Sequence, residues 1–473
     1  MPARPATWRT TRRSLRTDRF RTVISTAPSL LPELPGASVV ASRDGRPIHR
    51  DQFVAEVASL AQRLPAVTEV LNLCQDRYWF AVAFAACISR GIVSLLPPST
   101  AIESLARLAR QSPRCLLLVD GDEAPPLDLP WIQVAESAGR GTAQSAGPGL
   151  LAADDQLVAR VFTSGSTGLP QAHDKRWGCV KASVVAAARR IWAAAGGPCS
   201  VVGTPSFRHM YGLESTVLLP LLGGGCLTAR QPFFPADVAA ALDEAPEPRL
   251  LVTTPFHLRK LMESGVALPR LAAVLSATAP LALDVARAAE TAFDSPLLEI
   301  YGATEVGQIA TRRPCVDDTW ELLDGNCLTE VDGATLLAGP TQPRPQALND
   351  VLELLSPHRF RLIDRSANVI NIVGKRTSLG YLNHLLGQIP GVEDGVFCLP
   401  EHLQSQDDAR LAAFVVAPGR TPADILAGLR PLVDAVFLPR PLLLVDELPR
   451  NATGKLPQQA LLAFAERHVK AGG

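Results

Sequence analysis

The chain has 473 residues, 47% of them apolar, with 46 basic residues against 46 acidic ones. That length can hold a large core plus a smaller domain, and low charge with high apolar content excludes a largely disordered chain. The balanced charge removes the long-range attraction that nucleic-acid binders and polybasic membrane proteins use, so neither partner is expected. Residues 1–25 carry seven arginines and one acid, the composition of an organellar transit peptide. They lack an amphipathic apolar face and read instead as a ragged N-terminal extension. Residues 70–74 read as a strand, 78–90 as an Ala-rich helix and 91–96 as a returning strand. An apolar run at 157–162 leads into a glycine-rich loop. Beyond it, short apolar runs at 250–253, 271–275 and 297–300 alternate with helical patterns at 257–264 and 283–293. This alternation predicts a parallel sheet with helices on its faces.

The longest apolar run, around 217–227, is broken by Pro220 and by Gly223, Gly224 and Gly225. No run reaches the roughly 18 residues of a membrane-spanning helix. The pattern changes after residue 336, where 339–345 hold three prolines. Residues 351–355 and 360–363 flank the turn Ser356, Pro357, His358, Arg359 and predict a hairpin, with a further strand at 369–373. A boundary is therefore expected at 365/366. Residues 26–365 form a large α/β domain of parallel-rich sheets with flanking helices, and 366–473 a small α+β domain.

The nine cysteines are scattered and form no CxxC pair, which reads as buried free thiols in a reducing, cytoplasmic setting. Only six lysines occur, at 175, 181, 260, 375, 455 and 470. Lysine is a mobile point charge, so a lysine in a glycine-flanked loop stands out among so many arginines.

Three segments carry chemistry. Thr163, Ser164, Gly165, Ser166, Thr167 and Gly168, followed by Leu169 and Pro170, can turn backbone N–H groups and hydroxyls toward polyphosphate oxygens. The spacing is not that of a Walker A loop, and the residues alone leave a flexible surface loop equally open. Tyr301, Gly302, Ala303, Thr304 and Glu305 follow an apolar strand, which sets them at a sheet's C-terminal edge, where ligands bind. The tyrosine offers an aromatic face and Glu305 a hard carboxylate for Mg²⁺. Asn451, Ala452, Thr453, Gly454 and Lys455 place a lysine on a polar loop.

Together, in this order and spacing, these segments resemble the adenylate-forming superfamily of acyl-CoA synthetases, peptide-synthetase adenylation domains and luciferases. Lesser matches run from Ala277, Thr278, Ala279 and Pro280 to the His209, Met210, Tyr211, Gly212 segment, with Asp350, Arg365 and the Gly374, Lys375 loop. The resemblance implies that a carboxylate and ATP form acyl-AMP and pyrophosphate, and that the acyl group then passes to a thiol. Residues 163–168 would cradle phosphates, Thr304 would touch the α-phosphate and Glu305 would hold Mg²⁺. Tyr301, Gly302, Ala303 and residues 277–279 would flank adenine, and Asp350 and Arg365 would take the ribose. Lys455 would bridge the carboxylate and α-phosphate. His209, Tyr211, Gly212, Ser276 and Gly307 would line the acid pocket, with Gly307's missing side chain leaving room for substrate. In the family the small domain rotates after adenylation and brings the Gly374, Lys375 loop to a pantetheine tunnel. Read alone, Asp350 could equally cap the hairpin turn, Arg365 could pair with Asp364 or Glu353, and His209 could be an ordinary core or surface histidine.

Four positions depart from the family pattern. Gln171 stands where a lysine usually follows Pro170, so a phosphate-facing cation is lost or supplied by Lys175 or Arg176. Ala367, Asn371 and Gln458 replace the usual hinge residue, lysine and arginine, which bears on hinge contacts and on handling CoA. The compact chain and its Pro170, Gln171, Ala172, His173 stretch look like the stand-alone ligases of aryl-polyene and xanthomonadin-type pigment pathways. The expected activity is ATP- and Mg²⁺-dependent activation of 4-hydroxybenzoate or a similar hydroxyaryl acid, followed by transfer to an acyl carrier protein. A short- or medium-chain or aryl acyl-CoA synthetase using free CoA is the alternative, and a non-catalytic adenylate-binding homologue a remote one. A monomer or homodimer is expected.

Overall fold

The computed structural model describes residues 31, 35–97, 100–112, 114–135, 152–164, 170–331, 334–365, 369–372, 375–399, 411–433, 435–450 and 456–471. The extension 1–25, the loop 165–169, Ala367, Gly374 and Lys455 lie outside the described residues, as do the side chains of Thr163, Ser164, Arg365 and Lys375.

Two sheets dominate. The first has six strands in the order Trp131–Gln133, Cys115–Val119, Glu69–Asn72, Val93–Leu96, Leu157–Ser164 and Pro170–Arg176. Its strands pair in parallel except for the last two, which form an antiparallel hairpin. The second has eleven strands. Its central run, Leu297–Ala303, Ala273–Ser276, Arg249–Thr253, Ser200–Gly203, Cys226–Thr228 and Val39–Arg43, is parallel. The predicted strand–helix alternation is the architecture found, and the helix expected at 283–293 is observed as Leu283–Phe293.

One apolar cluster joins both sheets, taking Val70, Leu116 and Val161 from the first and Val201, Leu250 and Ile300 from the second. At its centre lies the helix Arg77–Ser89, in which every residue from Arg77 to Ile88 is buried. A helix apolar on all sides must sit between layers, and this one does. Its start is fixed by Asp76, whose side chain accepts from the N–H groups of Tyr78 and Trp79 at 2.8 and 3.3 Å. Arg77 points inward, makes no ion pair among the described residues and donates to the carbonyls of Gly203, Thr228 and Arg230 at 2.7 to 2.8 Å. Burial pushes its guanidinium down to about 9.

The apolar run near 217–227 becomes a π-helix, Leu213–Leu218, followed by the short helix Leu219–Gly223, which Gly224 closes in a left-handed conformation. The expected hairpin is present as Asp350–Ser356 against Arg359–Arg365, at the edge of the eleven-stranded sheet. Strands after Arg365 form separate sheets of two and three strands. The three-stranded one packs on Leu379–Gly387 and Pro422–Leu429 around Leu382, Leu386 and Phe397. All nine cysteines are free, and burial pushes the Cys87 thiol up to about 12. Among the described residues no helix is long and apolar enough to cross a membrane.

Replacing Asp76 by alanine removes the cap of the central helix and is expected to cost about 1–2 kcal/mol in a urea unfolding titration. Asp76→Asn keeps an accepting oxygen and should recover most of that loss. An unchanged midpoint for Asp76→Ala would mean the cap does not hold the helix.

Candidate active site

The parallel strands Ala273–Ser276 and Leu297–Ala303 run side by side, so residues 277–279 and 301–305 leave the sheet at the same C-terminal edge. Ala277 is buried while Thr278 and Ala279 are exposed. Thr278 has φ 85°, a conformation a β-branched residue adopts only under constraint. Tyr301 packs against Trp320 and Phe360, with ring centroids 5.6 and 5.4 Å away, and donates its hydroxyl to Asp350 at 2.5 Å. Next to Asp350, the Asn349 amide donates to Glu305 Oε1 at 3.0 Å. Two consecutive residues of the outer hairpin thus hold two residues of the inner one. Asn349 has no counterpart among the sequence-derived candidates.

Thr304 and Glu305 are half-buried on the turn between Leu297–Ala303 and the antiparallel strand Gly307–Arg312. Below that turn lies a charged cluster. Lys175, on Pro170–Arg176, is buried and donates from Nζ to the backbone oxygen of Glu305 at 2.9 Å. Glu214, on the π-helix, is buried as well. It accepts from the Gln308 N–H at 3.1 Å, and the Ser183 hydroxyl, which donates to the Gln308 carbonyl at 2.8 Å, lies 3.4 Å from its Oε1. Burial lowers the Lys175 pKa and raises that of Glu214, and each charge offsets part of the other's shift. Helical turns wide enough for an inserted residue are frequent at functional sites.

Gly307 corrects an expectation. Its φ is 74°, and a Cβ there would meet Glu214 Oε1 at 2.8 Å. The space left by its missing side chain is taken up by the Glu214 carboxylate, so it is not room for substrate. Ser276 is a second correction. Ala273, Leu275 and Ala277 face the central cluster, whereas Val274 faces the cluster beneath the outer helices. By strand alternation Ser276 shares Val274's side, away from Tyr211 and Gly307.

His209 and Tyr211 fall where the chain enters the π-helix. His209 is half-buried and precedes the short helix Met210–Gly212. Tyr211 directs its hydroxyl at the carbonyls of Thr253 and Leu275, 3.0 and 3.1 Å away, and burial raises its pKa. It therefore ties this segment to the ends of two parallel strands. A Cβ on Gly212 would lie 2.0 Å from the Ser206 oxygen, so only glycine lets the chain fold back there. Of the two cations proposed to replace the lysine missing at Gln171, Arg176 turns away to the carbonyl of Asp155 and Lys175 turns inward to Glu305.

A family model described as AMP-binding enzyme matches residues 37–327. A 4-coumarate–CoA ligase of Rhodobacter capsulatus is 32% identical over 289 residues, spanning 60% of this chain and 70% of that protein. Another, of Halorhodospira halophila, is 30% identical over 309 residues, spanning 62% and 73%. Among solved structures, ATP-bound MatB from Rhodopseudomonas palustris superposes with a TM-score of 0.78 at 17% identity, over 92% of this chain and 97% of that one. These structural likenesses carry the fold.

Gly307→Ala is expected to cost about 1–3 kcal/mol in unfolding measurements, from the left-handed backbone and the collision with Glu214 together. Adding Glu214→Ala should relieve the collision and leave the backbone cost. A stable Gly307→Ala protein with only a smaller acid pocket would restore the original reading of this glycine.

Proposed function

The chain belongs to the AMP-binding enzyme family, and on that premise we propose that it activates a hydroxyaromatic carboxylic acid with ATP and transfers the acyl group to the phosphopantetheine thiol of an acyl carrier protein. The carrying observation is the pair of contacts from Asn349 and Asp350 to Glu305 and Tyr301 at the sheet's C-terminal edge. They bring together, from segments far apart in sequence, an aromatic ring and two carboxylates, which we read as the adenine wall, the ribose contact and the metal ligand.

A carboxylate oxygen of the acid attacks the α-phosphorus of ATP, and the bond to pyrophosphate breaks. The thiolate then attacks the acyl carbon and AMP leaves. Attack between two anions is slow unless their charge is neutralised and their approach aligned, and that is what the protein supplies. Glu305 fits Mg²⁺ that arrives on ATP: a single half-buried carboxylate, steadied by Asn349 on one oxygen, leaves the other for an ion that keeps phosphate and water ligands. When bound, that ion neutralises phosphate charge. Thr304 offers its hydroxyl to the α-phosphate, residues 163–168 hold the distal phosphates, and Arg365 joins Asp350 on the ribose. Lys455 comes from the small domain, residues 366–473, to balance charge as the carboxylate approaches, and Gly374 and Lys375 face the thiol in the second step. His209, Tyr211 and Gly212 line the acid side.

An aromatic acid is supported by relatives named 4-coumarate–CoA ligases. The same names favour a second reading in which free CoA, rather than a carrier protein, is the acceptor. Nine free thiols accord with a reducing, cytoplasmic setting.

Pyrophosphate release measured with 4-hydroxybenzoate, 3-hydroxybenzoate, cinnamates and fatty acids, with CoA and carrier protein each offered, should show aryl activity. Fatty-acid activity without aryl activity would overturn the substrate assignment. Lys455→Ala should lower adenylation by about a hundredfold or more while leaving thioesterification of supplied acyl-AMP within a few fold. Equal loss in both half-reactions would remove Lys455 from its role. Glu305→Gln should raise the Mg²⁺ requirement, and wild-type behaviour across a Mg²⁺ titration would exclude it as the metal carboxylate.

A further inference from the structure

Lys175 is 6% exposed and Glu214 2%, in a chain with only six lysines. Burying two opposite charges is costly, and for stability alone an apolar pair of the same volume serves as well or better. Their retention calls for an account beyond packing.

The strand Pro170–Arg176 supplies it. Alternation puts Gln171, His173 and Lys175 on one face and Ala172, Asp174 and Arg176 on the other. Asp174 bonds Arg160 at 2.8 Å on the far side, and the field of Glu305 is felt by both His173 and Lys175. This strand leaves the 165–169 segment, while Glu305 belongs to the other sheet. The bond from Lys175 Nζ to the Glu305 backbone oxygen, 2.9 Å long, joins the two. Because it engages the backbone oxygen, it fixes the turn and leaves the Glu305 carboxylate available. Glu214, held by the Gln308 N–H, exerts the largest charge attraction on the ammonium without a direct ion pair between the two among the described residues.

We propose that Lys175 is a positioning residue that, with Glu214 as its buried counter-charge, fastens the Glu305 turn to the strand leaving the phosphate-binding segment. The Glu305 turn and the strand Pro170–Arg176, which belongs to the other sheet, are thereby held together. The proposal rests on the reading of Glu305 and residues 163–168 given above.

The test is the charge-neutral double variant Lys175→Met/Glu214→Gln, followed by urea unfolding, hydrogen–deuterium exchange and a Mg²⁺ titration of pyrophosphate release. Its unfolding midpoint should stay near wild type, because both buried charges leave together. Exchange in residues 303–307 should rise about tenfold with the rest of the sheet unchanged. Half-maximal Mg²⁺ should rise about tenfold, with KM for the acid within about twofold. Lys175→Arg, which keeps charge and donors, should recover part of the Mg²⁺ effect. A folded double variant with wild-type exchange and Mg²⁺ midpoint overturns the proposal. Should the double variant not fold, Glu214→Gln alone decides: it changes almost no volume, and unchanged exchange and Mg²⁺ midpoint in it are equally fatal. If the wild-type protein releases no pyrophosphate with any acid, the proposed function fails, while the exchange measurement still judges the tie.

Discussion

A carboxylate and an ammonium buried beneath a single backbone turn set the geometry on which the site depends. Glu214 reaches that position from a π-helix, Lys175 from a strand of the smaller sheet, and Gly307 makes room for the carboxylate by having no side chain. None of the three can move alone. Displacing Lys175 leaves a buried acid uncompensated, displacing Glu214 does the same to the ammonium, and a larger residue at 307 expels the carboxylate. The Glu305 turn rests on this arrangement from below and is held by Asn349 from above. A site that aligns two anions needs such rigidity, because small misplacements are expensive in rate.

The two sheets are joined by apolar packing around a wholly buried helix, and Arg77 adds contacts to three carbonyls in the larger sheet's half. An interior of this kind is close-packed and transmits displacement poorly as gradual bending. The segments bearing chemistry therefore sit at the margins of a stiff body, and Tyr301, Thr304, Glu305 and Asp350 come together at one sheet edge.

Much of this was legible in the sequence, and the parts that were not share a cause. The strands at 250–253 and 297–300, the helix at 283–293 and the hairpin after residue 350 follow from local apolar periodicity; the helix appears with the same bounds and the strands with ends moved by one to three residues. The motifs carrying Tyr301, Thr304 and Glu305 were readable because each is contiguous. Ser276 was misassigned because which face a residue occupies depends on parity against helices distant in sequence. Gly307 was misread because its neighbour Glu214 lies 93 positions earlier, and no local pattern links them. The strand Pro170–Arg176 carries almost no β signal of its own and exists through pairing with Leu157–Ser164. Lys175 stands out in the sequence as a candidate phosphate-facing cation, but its inward direction comes from that pairing.

The most direct test of the whole account follows the carboxylate oxygen. With 4-hydroxybenzoate labelled by ¹⁸O in its carboxyl group, attack on the α-phosphorus leaves one labelled oxygen in the AMP released, with pyrophosphate as the other product. Mass spectrometry of the nucleotide should find AMP carrying a single ¹⁸O. Unlabelled AMP, or ADP with inorganic phosphate, would contradict activation of the acid as an adenylate.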